Sequence, residues 1–525
     1  MRQMFSDLKW PLLLIAVLGL YAMLSVPILP IDETRYVSVA WDMWNRHSFL
    51  VPHLNGVPYS QKPPMLFWLI QAGWKLFGVN DFTPRLIPCF FSMLNLMLVY
   101  RISLRLWPEE RKAAVYSALI LASTLIWSVW SFSIMFDMIL AFWILLGLLG
   151  TLRCAAQRRD GWFLLIAGVA GGLLTKGPAI LVCLLSVPLF RAWWDTRREK
   201  PVGAAWYWSV LGAGLAGFAL ALCWAVPAAI LGGEVYGNDI LWGQTVGRVT
   251  SSAAHHRPVW WYLPILPLFF FPWILFRSVF EKPDFKTTDC GVRFCLTWLG
   301  LPLLIFSMIS GKQIHYLIPF IPAGALLMGR NLSRNDGRVD SRIPGVLFLL
   351  LSLASVIFPP FSQPGGDLGP LDPGDTRFIF AGLLICGLLF LYPLQKNSHT
   401  VRRVALTMIL FLFCALFHNK QSFLDNYDIK AVSVRIGQKM AEGCPVANVG
   451  QYHGQYQFLG RLTNPLIELD GQTDFEQFDA EHPGTLFISY QKEGEDKLPA
   501  GATVCFAQEF RGKNVLLWQF SHSAP

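Results

Sequence analysis

The sequence predicts a polytopic α-helical membrane protein with a small α/β domain at its C-terminal end. Charged residues are only 15% of the 525 positions and hydrophobic ones 54%, whereas soluble domains carry about a quarter charged residues. Apolar runs long enough to cross a bilayer recur through the first four fifths of the chain. After residue 418 the pattern changes to short apolar stretches separated by turn residues. The net charge of +9 does not indicate a nucleic-acid partner, because Lys and Arg sit mostly in short loops between apolar runs, the distribution that orients membrane proteins.

The first apolar run, PLLLIAVLGLYAMLSVPIL, follows a basic flank and has no small-residue cleavage site behind it. It predicts an uncleaved signal anchor with a cytoplasmic N-terminus. Spans are expected at about 10–29, 84–104, 113–131, 134–152, 161–175, 177–193, 205–231, 259–277, 293–309, 317–330, 343–360, 377–394 and 404–418, about thirteen in all. Loops bearing Arg101, Arg105, Arg111 and Lys112, then Arg153, Arg158 and Arg159, then Arg197, Arg198 and Lys200 alternate onto one side, with Arg330, Arg334, Arg402 and Arg403 later joining them. That side is cytoplasmic. The longer loops 30–83, 232–258, 310–316 and 361–376 and the tail face outward.

Residues 1–418 thus form the membrane domain and 419–525 a soluble one. In the tail, DIKAVSVRIGQKMAEG (428–443) reads as a helix bounded by Asp428 and Gly443. PVANVG, PLIELD, GTLFISY, TVCFAQEF and NVLLWQF read as strands. The ten cysteines show neither CxxC nor zinc-like spacing. Cys444 and Cys505 either pair on the oxidising side or stay as two thiols.

Chemistry-bearing residues gather in the outward loops. LPIDETRYVSVAWDMWNRHSF (29–49) places Tyr36, Val39, Ala40, Met43 and Trp44 on one face of an interfacial helix, with Asp32 and Glu33 in its first turn and Arg35 following. An isolated carboxylate there serves as a helix cap. The same loop also presents Lys62 before two prolines. Asp137 opens a span, where a charge is functional by default. Lys176 precedes the helix-breaking Gly177-Pro178; Arg248, His255 and His256 share another outward loop, and Lys312 and Tyr316 a third. Cations clustered at headgroup level suit a phosphate, and carboxylates beside them suit sugar hydroxyls, amines or a proton. A phosphate-linked lipid is therefore the expected substrate and group transfer the expected chemistry.

DETRY, QKPP, the FD of a span start, LLTKGP, GQTVGR…HHRPVWWY…FFFPW and GKQIHYLIPFIP together resemble the GT-C type of lipid-to-lipid sugar transferase, over residues 10–330 and in matching order. The similarity is to the bacterial aminoarabinose transferases that modify lipid A, within the wider protein mannosyltransferase family. The resemblance implies a polyprenyl-phosphate sugar donor, undecaprenyl phosphate being the expected carrier, a lipid or glycan acceptor, and inverting transfer at the periplasmic face of the inner membrane. It implies catalytic roles for Asp32, Glu33 and Asp137 and substrate-binding roles for Arg35, Lys62, Lys176, Arg248, Lys312 and Tyr316. No cofactor is assigned. A divalent metal held by His255 or His256 stays open, but Gln61 stands where relatives commonly have Glu, and a neutral amide is a poor ligand for such an ion. The alternatives are a flippase for a polyprenyl-linked sugar and a transferase acting on protein. A transporter places its ionisable groups near the midplane of repeated halves; here they gather at span ends, and no repeat is visible.

Overall fold

The computed structural model describes residues 2–247, 257–280, 289–334, 340–357, 373–392, 397–419, 424–492 and 498–521. The chain opens with α1 (Arg2–Ser25), followed by the first long loop. That loop folds as α2 (Asp32–Asn45), a hairpin of β1 (His53–Leu54) and β2 (Val57–Pro58), and α3 (Met65–Phe77). Long apolar helices follow: α4 (Thr83–Leu106), α5 (Arg111–Ser123), the short α6 (Leu125–Trp130), α7 (Asp137–Ala155), α8 (Asp160–Lys176) and α9 (Ala179–Leu189). Next come α10 (Arg191–Trp194), α11 (Ala204–Gly232) and α12 (Glu234–Asn238). Among the described residues six helices are long and apolar enough to cross a membrane, and further apolar helices are shorter.

Several expected spans are not continuous helices: 113–131 breaks at Thr124 between α5 and α6, 177–193 breaks at Phe190 between α9 and α10, and 259–277 is the most divided. Residues 259–277 form a turn at Val259–Tyr262, the short α13 (Leu266–Phe269) and a turn at Trp273–Leu275. Pro258, Pro264, Pro267 and Pro272 each remove a backbone donor, so no α-helix propagates through the segment despite its hydropathy. Beyond it lie α14 (Cys290–Met308), a 3₁₀ segment at Ile314–Phe320, α15 (Ile321–Arg334), α16 (Arg342–Ile357), α17 (Pro373–Leu391) and α18 (Asn397–Asn419).

The basic loops share one end of the bundle. Arg111 pairs with Asp7 at 2.6 Å, Arg334 with Glu110 at 2.9 Å, and Arg197 donates to the Arg105 carbonyl at 3.3 Å. The first long loop occupies the other end, because α4 carries Arg85 in its first turn and Arg105 in its last.

The tail folds as expected: α19 (Lys430–Ala441), β3 (Val446–Val449), β4 (Ile467–Leu469), α20 (Phe475–Glu481), β5 (Leu486–Gln491), β6 (Ala502–Phe510) and β7 (Lys513–Phe520). The sheet order is β4-β3-β5-β7-β6, parallel about β3 and antiparallel about β7. Phe487 and Trp518 stack at 4.4 Å inside one face. Both thiols in question are free; the Gln519 amide lies between them, 3.4 Å from Cys444 Sγ and 3.7 Å from Cys505 Sγ.

This sheet unit docks on the first loop. Trp41 Nε1 donates to the Leu462 carbonyl at 2.8 Å, and the Phe458 amide donates to Ser38 Oγ. Phe458 stacks on Trp74 at 5.1 Å, worth about 0.5–1.5 kcal/mol beyond simple burial. Asn55 bridges to Leu466, Gln457 and Glu468, and Asp81 pairs with Lys430 and Arg461, each at 2.6 Å. The α2 helix is therefore buried on two faces. Of the expected stripe, Tyr36, Val39, Ala40 and Met43 are buried and Trp44 is partly buried, and Ser38 and Trp41 are buried as well.

Candidate active site at the end of the helix bundle

Asp137 and Lys176 meet because α7 and α8 lie side by side in unusually close contact. A methyl added at Gly168 would stand 2.7 Å from the Trp143 carbonyl oxygen, so a residue without Cβ is what lets the two backbones approach. Asp137 is the first residue of α7, where free amide groups favour a carboxylate, and Lys176 the last of α8, where free carbonyls favour a cation. Gly177, at φ +74°, ends α8 in a conformation that Cβ-bearing residues avoid. Lys176 Nζ lies 2.6 Å from Asp137 Oδ1, with Asp137 1% exposed and Lys176 11%.

Two other segments close around this pair. Lys176 Nζ sits 5.2 Å from the Tyr316 ring centre, and Tyr316 packs edge-on against His315 at 4.9 Å. His315 and Lys62 are near enough to stabilise the Asp137 charge. Residues 62, 137, 176, 315 and 316, drawn from four separate stretches of sequence, thus converge.

The start of α2 supplies the rest. Asp32 is exposed, with Arg35 Nη1 at 3.6 Å. Tyr36 is buried and packs edge-on against Phe136 at 5.0 Å; Phe136 meets Phe67 at 5.7 Å, and Phe67 meets Tyr59 at 6.3 Å. Burial, then the Asp32 charge, pushes the Tyr36 phenol far above its ordinary range, which keeps it protonated and a hydrogen-bond donor. Asp137 adds to the same effect, so Tyr36 stands in the field of both carboxylates.

Glu33 points elsewhere. Its Oε2 lies 3.0 Å from Arg85 Nη2 and accepts from the Leu29 amide, while Oε1 accepts from the Ile134 amide at 2.9 Å. Arg85, 2% exposed, also donates to the carbonyls of Phe132 and Pro27. This buried clamp ties the entry of α2 to α4 and to the segment before Asp137. No side chain caps α2 at Ile31, and Glu33 gives its oxygens to Arg85 and to the Leu29 and Ile134 amides rather than to the free amides of its own helix. The sequence signal for Arg85 was its place inside an expected span, where an ionisable side chain needs a partner.

Lys312 differs from its expected role as an open phosphate ligand. It is 2% exposed and donates to the carbonyls of Arg257 at 2.9 Å and Ile309 at 2.5 Å. Free carbonyls past the end of α14 attract a cation, so Lys312 staples the turn before residue 259. Arg248, His255 and His256 lie outside the described residues. Among the described residues no three His, Cys, Asp or Glu side chains gather as a metal-ligand set. Gln61 accepts from the Tyr59 hydroxyl at 3.5 Å.

The sheet unit completes the rim. A cavity of about 220 Å³ is lined by Asn55, Tyr59, Ser60 and Gln61 from the first loop and by Tyr452 and Glu468 from the tail. Burial, then the Arg35 guanidinium, pulls the neighbouring His453 below the usual histidine range. Neither Tyr452 nor Glu468 carried a signal in the sequence, since their place depends on how the tail docks.

An apolar helix bundle with acids and lysines gathered at one end and a sheet unit over them defines a membrane protein of the GT-C fold. Crystal structures of ArnT from Cupriavidus metallidurans match over nearly the whole chain. The form bound to undecaprenyl phosphate has TM-score 0.71 and 20% identity, covering 97% of this chain and 98% of that one; the apo form has TM-score 0.72 and 18% identity, covering 98% of each. Residues 61–224 match the family described as dolichyl-phosphate-mannose-protein mannosyltransferase. An undecaprenyl phosphate-α-4-amino-4-deoxy-L-arabinose arabinosyl transferase of Pseudomonas paraeruginosa is 31% identical over 72% of this chain and 69% of its own length. A Pseudomonas fluorescens relative, arabinosyl transferase 2 of the same description, is 30% identical over 62% of this chain, and the match spans 60% of that relative's length. The chain belongs to the undecaprenyl phosphate-α-4-amino-4-deoxy-L-arabinose arabinosyl transferase family.

Proposed function

We propose that this chain is an inverting glycosyltransferase. It moves 4-amino-4-deoxy-L-arabinose from undecaprenyl phosphate to a lipid A-type or other envelope glycan acceptor at the periplasmic face of the bacterial inner membrane. The observation that carries the reading is the buried Asp137–Lys176 pair with Tyr316, His315 and Lys62 around it. The names of its relatives supply the sugar and the carrier. Residues 1–418 are read as the membrane unit, with about thirteen crossings, and 419–525 as a periplasmic unit that roofs the site.

Lys176 has donors left after its bond to Asp137, and with Lys62 it holds the donor phosphate. Arg35 and the protonated Tyr36 extend that grip toward the sugar. The bond from the anomeric carbon to the phosphate oxygen breaks, and its electron pair stays on the phosphate, where the two ammonium groups stabilise it. The acceptor oxygen forms the new bond from the opposite face, which inverts the anomeric centre. Asp32 takes the proton of a hydroxyl acceptor; an ionised phosphate acceptor brings none, and Asp32 then orients the sugar or its amine. Asp137 holds the Lys176 ammonium group in place. Glu33 acts through Arg85 as a positioning residue.

Reconstitution in liposomes with a radiolabelled undecaprenyl-phosphate sugar tests this directly. Asp32→Asn and Lys62→Ala abolish transfer without loss of folded protein; normal turnover in both variants overturns the reading.

A further inference from the structure

The end of the bundle away from Asp137 holds a second charged site, which the transfer reaction does not use. It opens where the end of α7, the start of α8 and residues 191–209 meet, about 28 Å from Asp137 along α7 at about 1.5 Å per residue. The cleft has a volume of about 1120 Å³, and seven cationic side chains line it against two carboxylates, Asp195 and Glu199.

Its inner wall is built. Arg191 and Asp195 are both buried, with Nε 2.9 Å from Oδ2; Arg191 also donates to the Ala155 carbonyl and lies 4.1 Å from the Trp206 ring centre. One carboxylate is therefore already neutralised. Arg198 donates to the Asp195 carbonyl at 2.7 Å, which holds its guanidinium at the wall. Arg159 and Lys200 stand exposed at the mouth with no carboxylate partner among the described residues. Orientation in a membrane accounts for the sign of the charge on this face. It does not account for a walled cavity whose guanidinium groups are fixed by backbone carbonyls. Planar guanidinium groups at fixed positions suit phosphate oxygens.

The apolar side of the cleft indicates the source of that phosphate. The first turns of α11 form one wall, and beyond them Trp208, Leu211, Leu215 and Phe218 are exposed along the helix. A soluble anion has no use for that surface, whereas acyl chains lie along it. We propose that this cleft binds the headgroup of an anionic phospholipid, its phosphates on Arg159, Arg198 and Lys200 and its chains against α11.

Native mass spectrometry of the full chain in detergent, with cardiolipin, phosphatidylglycerol or phosphatidylethanolamine added, tests the proposal. The wild type retains cardiolipin and phosphatidylglycerol in preference to phosphatidylethanolamine. Arg159→Gln/Lys200→Gln, both exposed and safe for folding, weakens retention of the anionic lipids by about thirtyfold, roughly fivefold per cation removed. Arg101→Gln/Lys112→Gln removes the same charge from exposed positions on that face but outside the cleft, and leaves retention unchanged. Equal retention of the three lipids, or equal loss in the two double variants, overturns the proposal. Displacement of cardiolipin by sodium pyrophosphate would reassign the cleft to a soluble anion and also overturns it.

Discussion

Replacing Lys176 with Met removes the ammonium group and keeps most of the side-chain volume, leaving Asp137 ionised at 1% exposure with its 2.6 Å partner gone. An uncompensated buried charge costs about 3–5 kcal/mol, so the variant melts well below the wild type in detergent. Transfer should fall by about 10²–10³, the usual loss when one group stabilising a developing charge is deleted. Asp137→Asn strands the less buried Lys176 and melts between the two. The informative variant is Asp137→Asn/Lys176→Met, in which no charge is left unpaired. Replacing both partners of a buried pair is close to neutral, so its melting temperature returns to near the wild-type value, while transfer stays down by about a hundredfold or more. Thermal melting and initial rates of labelled-sugar transfer, measured on the same preparations, separate the two effects. Recovery of both stability and transfer in the double variant would make the pair mere scaffold and refute the assignment of Lys176 to the phosphate.

The two neighbouring acids should respond oppositely. Glu33→Gln leaves Arg85 buried without its counter-charge and costs about 3 kcal/mol or more. Asp32→Asn, at an exposed and loosely paired position, changes stability by under about 1 kcal/mol yet stops transfer; melting and rate assays on both variants check this. Burial raises the Asp81 carboxyl, but its bonds to Lys430 and Arg461 outweigh that and hold it below the ordinary 3.8. A depressed carboxylate contributes its stability above 3.8 and loses it as pH falls through the folded value, so docking of the sheet unit loosens only below about pH 4. Hydrogen exchange of residues 458–462 between pH 3 and 6 reads the effect, and Asp81→Asn should show the acid behaviour at neutral pH. Membrane-impermeant thiol labelling on a cysteine-free background tests orientation: Ser60→Cys reacts from the periplasmic side, and Arg159→Cys only after the membrane is opened.

Much of this architecture is legible in the amino-acid sequence. The two helices of the first loop and all five tail strands follow from apolar periodicity, and Asp137 and Lys176 stood out because an ionisable group at a span end needs a reason. Adjacency in the sequence groups Glu33 with Asp32. Successive helix residues lie about 100° apart, so the two carboxylates face different surroundings, one the open site and the other Arg85. Lys312 reads as a free cation in sequence, because nothing there shows that carbonyls converge on it. Hydropathy counts apolar side chains and not donors, which is why 259–277 reads as one span although its prolines break it into short turns. The second buried face of α2, through Ser38 and Trp41, depends on partners more than 400 positions away.

That separation sets an order of events during synthesis. The helix bearing Asp32, Arg35 and Tyr36 is made early, yet the carbonyl that receives Trp41 belongs to Leu462, 421 residues later. At about 5–20 residues per second, the first loop waits about 20–80 s with an unsheltered tryptophan face before its roof arrives. A ribosome that stalls in the last fifth of the message therefore leaves a helix bundle whose first loop stays uncovered, with the Ser38 and Trp41 face open to solvent and to proteolysis.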